Sequence, residues 1–191
     1  MEYEAIVIGA SAGGLNALSI LVEVLPSDFR IPILVVQHRS KDERTLLEEI
    51  LQLKTKMKIR QADEKEKIEN GVMYFAPADY HLLVERNRTF SLSCDDRVNY
   101  SRPSIDVLFE TASDVYKNKL VAIILTGANG DGANGIRTVK KNGGTTIAQQ
   151  PETAIHQTMP LAAIATGSVQ HIYPLEKIKD FLLRIGKTEH V

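Results

Sequence analysis

A serine, a histidine and an aspartate in this sequence stand where their types could combine into nucleophilic chemistry. Ser11 lies in Gly9-Ala10-Ser11-Ala12-Gly13-Gly14, which fits the G-x-S-x-G pattern of a hydroxyl held on a tight strand-to-helix turn. Small neighbours let the backbone turn sharply and let a carbonyl approach, and a following helix would add free N–H groups near the hydroxyl. A neutral serine hydroxyl is a weak nucleophile and needs a base to take its proton. His38 ends the apolar run Val35-Val36-Gln37 and can be that base. Asp131, in Thr126-Gly127-Ala128-Asn129-Gly130-Asp131-Gly132, can fix the imidazole tautomer and stabilise the imidazolium. The oxyanion of acyl transfer would need N–H donors, for which the backbone of Ala12 and Gly13 and the loop Gly127, Ala128, Asn129 and Gly130 are candidates. Activity should then fall as acid protonates His38.

Taken singly, each residue has a plainer explanation. Ser11 and Asp131 could cap the helices that follow them, and His38 could be structural. Their joint placement makes catalysis the better reading. Ala5 to Ile8, Ile31 to Val36 and Leu120 to Leu125 are short apolar runs rich in β-branched residues, the pattern of strands buried on both faces of a parallel sheet. Ser11, His38 and Asp131 each follow the C-terminal end of one such run, and in an open parallel sheet those ends line the edge where ligand crevices form.

The remaining elements follow from periodicity. Helical spacing appears over Leu15 to Val22, Leu46 to Leu51, Ile105 to Tyr116 and Leu175 to Ile185. A further helix over Gly132 to Lys141 is broken by Gly143-Gly144, and Thr145 to Ala148 reads as another strand. Between these lie strand-like pieces at Lys56 to Arg60, Val72 to Ala76, His81 to Glu85 and Phe90 to Leu92, which suggest edge strands and a hairpin. The expectation is an α/β fold, a doubly wound, mostly parallel sheet with helices on both faces and a small antiparallel edge or hairpin. No repeat or linker divides the chain, so residues 1–191 read as one domain.

Composition excludes several classes. At 191 residues, 43% hydrophobic and 25% charged, the chain is ordinary for a globular domain. Lys and Arg number 23 against 24 Asp and Glu, without the basic excess that marks general nucleic-acid binding. No apolar run approaches the roughly 18 to 20 residues of a membrane helix. The single cysteine, Cys94, forms no internal disulfide, and a reducing cytoplasmic setting is expected. Neither the histidines nor Asn129, Asp131 and Asn134 show metal-ligand spacing, so no metal or other cofactor is expected. A dinucleotide-binding enzyme is disfavoured because Gly9-x-Ser11-x-x-Gly14 lacks the middle glycine and no acidic residue ends the second strand.

Several segments together resemble the catalytic domain of the chemotaxis methylesterase family, CheB. They are Ile8 to Gly14, Gln37-His38, Tyr74-Phe75-Ala76-Pro77, Arg102-Pro103-Ser104-Ile105-Asp106, Leu125-Thr126-Gly127, Gly130-Asp131-Gly132-Ala133 and Thr146-Ile147-Ala148-Gln149. The resemblance covers almost the whole chain. It implies that Ser11, His38 and Asp131 are the catalytic residues and that the reaction is hydrolysis of glutamate γ-methyl esters in the cytoplasmic region of chemoreceptors, with deamidation of receptor glutamines in some members. It also brings in Arg102 as a candidate for an acidic receptor helix and Met159, in Met159-Pro160, as part of a loop near the site. The family commonly carries a receiver domain before its first strand, so regulation in trans, or an upstream domain that was removed, is expected here. Ala12 stands where many members have threonine, Ala128-Asn129 where many have methionine and glycine, and Thr158 where a glycine is usual. Because these changes surround the proposed oxyanion site, a receptor-binding module without turnover is the alternative.

Overall fold

The computed structural model describes residues 2–39 and 46–186. Seven strands form one parallel sheet: β1 (Ala5–Ala10), β2 (Ile33–Gln37), β3 (Lys58–Gln61), β4 (Val72–Phe75), β7 (Leu120–Ile124), β8 (Thr145–Gln149) and β9 (His171–Tyr173). Their order is β3-β4-β2-β1-β7-β8-β9, and every neighbouring pair is parallel. The central strands β1, β2 and β7 are buried throughout, which explains why their sequences are apolar save for Gln37 at the end of β2. The strands β5 (His81–Val84) and β6 (Phe90–Ser93) form a separate antiparallel hairpin.

Alternate residues of each strand feed two cores. On one face Ile6, Ile8, Ile33, Val35 and Ile123 pack against α1 (Gly14–Val22), α2 (Leu47–Gln52) and α6 (Leu175–Gly186). On the other, Val7, Leu34, Val36, Ala122 and Ile124 pack against α3 (Ile105–Tyr116), α4 (Ala133–Lys141), α5 (Thr158–Ala165) and the hairpin. The fold is therefore the expected doubly wound sheet with helices on both faces.

The sequence reading errs in three elements. Val72 to Phe75 is not an edge strand: β4 lies between β2 and β3, and all four residues are buried. The edge on that side is β3, whose alternating burial is what the polar-apolar pattern there records. The helix α5 and the strand β9 are absent from the sequence reading. Pro160 interrupts the helical signal of an eight-residue segment, and β9 has three half-exposed residues, too short for a recognisable period.

The strand order places the site. The chain leaves β1 toward β2 on one side, and β7 continues toward β8 on the other. Loops after adjacent strands thus diverge at β1 and β7, opening a crevice at their C-terminal ends.

Candidate active site

The parallel register pairs Ala10 with Gln37, so Ser11 and His38 are the next residues on neighbouring strands. The His38 N–H donates to the Ala10 carbonyl at 2.9 Å. The buried Gln37 amide spans the two positions, donating from Nε2 to the carbonyls of Ser11 and His38, each at 2.9 Å. A side chain at Gly14 would put its Cβ 1.9 Å from Gln37 Oε1, so glycine is required there to let the amide sit beneath the turn. Ser11 and His38 line one open cleft of about 560 Å3 together with Ala12, Gly13, Leu15 and Ile50.

The loop after β7 delivers Asp131. Its Oδ2 lies 2.8 Å from His38 Nε2, and the aspartate is fully buried while His38 keeps partial exposure toward the cleft. The N-terminus of α3 is aimed at the same carboxylate. Ser104 Oγ donates to Oδ1 at 2.8 Å, the Ile105 N–H to Oδ2 at 2.7 Å, the Asp106 N–H to Oδ1 at 3.3 Å and Asn99 Nδ2 to Oδ1 at 3.0 Å. Burial pushes the Asp131 carboxyl up. The hydrogen bonds from His38, Ile105 and Asn99, with the charge of His38, outweigh it and hold the group below its ordinary range. The carboxylate is thus an acceptor at neutral pH, and it fixes the proton of neutral His38 on Nε2. The other ring nitrogen, Nδ1, carries the lone pair and faces Asn129 Nδ2 at 3.4 Å.

A second carboxylate lies behind the first. Asp106 accepts from the Gly135 N–H at 2.7 Å and from Asn99 Nδ2 at 2.8 Å. Burial is the main cause raising its pKa, with a further push from the charge of Asp131, against the lowering effect of those hydrogen bonds. Asn99 therefore bridges two buried acids.

The remaining candidates separate into two groups. No hydrogen bond among the described residues takes the N–H of Ala12, Gly13, Ala128 or Asn129, which leaves these amides available to a ligand. The Gly127 N–H instead donates to the His156 carbonyl, and the Gly127 carbonyl accepts from the Met159 N–H. Met159 itself is buried against Gly127, where a Cβ would meet its Cε at 2.6 Å. Arg102 is turned to other work, with Nε and Nη2 on Asp79 at 3.1 and 2.8 Å and Nη1 on the carbonyls of Cys94 and Asp95 at 2.6 and 3.0 Å. No hydrogen bond joins the Ser11 hydroxyl to His38.

Comparison with known proteins decides the family. The CheB methylesterase family model matches residues 6–182. The chain belongs to the CheB methylesterase family. A Leptospira interrogans protein, provisionally named protein-glutamate methylesterase/protein-glutamine glutaminase, is 51% identical over 187 residues, covering 98% of this chain and 97% of that protein. A Thermotoga maritima protein of the same paired name is 34% identical over 183 residues, covering 94% of this chain. The chain spans 53% of that relative's length, about half, as with the Clostridium acetobutylicum relative. The crystal structure of the Thermotoga maritima CheB methylesterase catalytic domain superposes with a TM-score of 0.91 at 34% identity, covering 97% of this chain and all of that one. No helix among the described residues is long and apolar enough to cross a membrane.

Gln37, Ser104 and Thr126 entered the sequence analysis only as parts of matching segments, without a role, and in the structure they are supports. Gln37 holds the ends of β1 and β2 together, and Ser104 donates to Asp131. Thr126 carries a similar load, donating from Oγ1 to the Ala12 carbonyl at 2.9 Å while accepting from the His156 N–H at 2.9 Å. It ties the serine turn to the segment before α5.

Proposed function

We propose that this chain is a protein-glutamate methylesterase that acts on γ-methyl esters in the cytoplasmic region of chemoreceptors, with Ser11 as nucleophile, His38 as general base and Asp131 as the residue that orients it. The observation that carries the reading is the His38–Asp131 contact at the sheet's C-terminal edge, with Ser11 and His38 facing one cleft.

In the first half-reaction His38 Nδ1 takes the Ser11 proton while Oγ bonds to the ester carbonyl carbon. The tetrahedral oxyanion is met by the amides left open at Ala12, Gly13 and Ala128. The intermediate collapses by breaking the bond to the methoxy oxygen, which leaves as methanol with the proton from His38. Water, deprotonated by the same nitrogen, then cleaves the acyl-enzyme and restores Ser11 and a glutamate carboxylate. A glutamine substrate would enter the same acyl-enzyme with ammonia as the leaving group. Asp131 stabilises the imidazolium in both halves without itself taking the proton.

The direct test is methanol release from a methylated chemoreceptor fragment. Wild type should release methanol, and Ser11→Ala should lose at least about 10^4-fold in kcat with an unchanged thermal midpoint. Equal release by both proteins would remove Ser11 as nucleophile. Release should also persist in EDTA, because no step draws on a metal ion.

A further inference from the structure

The nitrogen that must accept the Ser11 proton already has a donor in front of it. Asn129 Oδ1 accepts the Asp131 N–H at 3.1 Å, and this bond sets the amide's orientation. A flipped amide would turn its NH2 group onto that N–H, donor against donor. The group aimed at His38 Nδ1 is therefore the Asn129 NH2, at 3.4 Å. On the opposite side of the ring Nε2 is held by Asp131 at 2.8 Å, so the ring cannot offer a different lone pair without breaking that bond.

We propose that Asn129 is a resting-state latch on the general base. Its amide donates to the Nδ1 lone pair, and the Ser11 hydroxyl must displace it before the proton can move. At 3.4 Å the contact is long for a hydrogen bond, so its hold is weak and a bound substrate that drives Ser11 inward can release it. The same NH2 group opposes formation of the imidazolium, because a protonated Nδ1 would face a donor. Both consequences slow the chemical step, and neither touches the apolar flanks of the cleft at Leu15 and Ile50 where a substrate would seat. The inference rests on the assignment of Ser11 and His38 as nucleophile and base.

Two substitutions at this position should act in opposite directions. Asn129→Ala removes the donor and should raise kcat several-fold with little change in KM. Asn129→Asp keeps the acceptor for the Asp131 N–H, preserving the loop, but presents a carboxylate to Nδ1. It should stabilise the doubly protonated ring and lower kcat by about tenfold or more at neutral pH. Nitrogen NMR of histidine-labelled protein supplies a readout independent of turnover. The unprotonated Nδ1 resonance of His38 should move downfield in Asn129→Ala, and both ring nitrogens should be protonated in Asn129→Asp. A fall in kcat for both variants would overturn the latch and leave Asn129 as a loop support acting through Asp131. So would an Nδ1 resonance that Asn129→Ala does not move. Wild-type turnover in Ser11→Ala would instead defeat the underlying assignment, and the NMR result would still report whether the Asn129 hydrogen bond exists.

Discussion

The two sides of the His38 ring are built differently. Behind it, Asp131 is fully buried and takes hydrogen bonds from His38, Ser104, Asn99 and the amides of Ile105 and Asp106. In front, Nδ1 meets a single long contact from Asn129, in a cleft open to solvent. In the proposed mechanism the orienting group is thus over-determined, whereas the ring nitrogen that would take the proton has one weak partner. A base needs a fixed tautomer and ring plane, and these come from the rear wall. A nucleophile must also leave its resting contacts to reach a carbonyl, and a rigid front would oppose that step.

The rear wall is the place to expect the largest losses. Asp131→Asn can place an NH2 group against His38 Nε2, favouring the wrong tautomer, and kcat should fall by about 10^4. The same change strips an acceptor from a cluster of buried donors, which should cost about 1–3 kcal/mol of stability. That cost should depend on pH. The folded Asp131 pKa lies below its ordinary value of 3.8, so its contribution is fully present above that value and is lost as pH falls through the lowered folded value. Asp106 carries the opposite sign. Its raised pKa makes its contribution complete below 3.8 and lost as pH rises through the raised value. Thermal midpoints of wild type and Asp131→Asn should therefore be well separated at neutral pH and converge below the ordinary carboxylate range. A separation that stays constant into acid would show that Asp131 is not ionised and buried as described.

Ser104→Ala probes the same wall more gently. The wall keeps its other donors, while one hydrogen bond to a charged group, typically about 1.5–3 kcal/mol, disappears. If about 1.4 kcal/mol of that is felt by the imidazolium of the transition state, kcat falls about tenfold, with KM unchanged. A comparable rise in KM would place Ser104 on the substrate instead.

The positions of Ser11, His38 and Asp131 were readable in the sequence, and the donors gathered around Asp131 were not. Ser11, His38 and Asp131 each follow an apolar strand, and a parallel sheet brings such positions to one edge whatever their separation in sequence. That inference needs only strand identity. Asn99 and Ser104 reach Asp131 from the segment between the hairpin and α3, where the chain carries positive φ at Asn99 and Tyr100. Nothing periodic marks such a segment, and side-chain hydrogen bonds between residues 27 and 32 positions apart leave no trace in local pattern. The edge-strand expectation for Val72 to Ala76 failed for a related reason. Strand order is set by crossovers, and a four-residue strand says little about which neighbours it will find.

The smallest effect is expected at Arg102, where the resemblance alone suggested a hand for an acidic substrate. Its guanidinium makes a forked contact with Asp79 and caps the carbonyls of Cys94 and Asp95, so its donors tie the segment entering the hairpin to the segment leaving it. Those partners fasten the approach to Asn99, so Arg102 belongs to the outer layer of the rear wall. Arg102→Ala should lower the thermal midpoint slightly, leave KM for a receptor fragment unchanged and move kcat little. Arg102→Lys should not restore the midpoint, because an ammonium cannot reproduce the fork on Asp79 while also reaching two carbonyls. A large rise in KM at unchanged stability would reverse the placement, taking Arg102 out of the wall and putting it on the substrate.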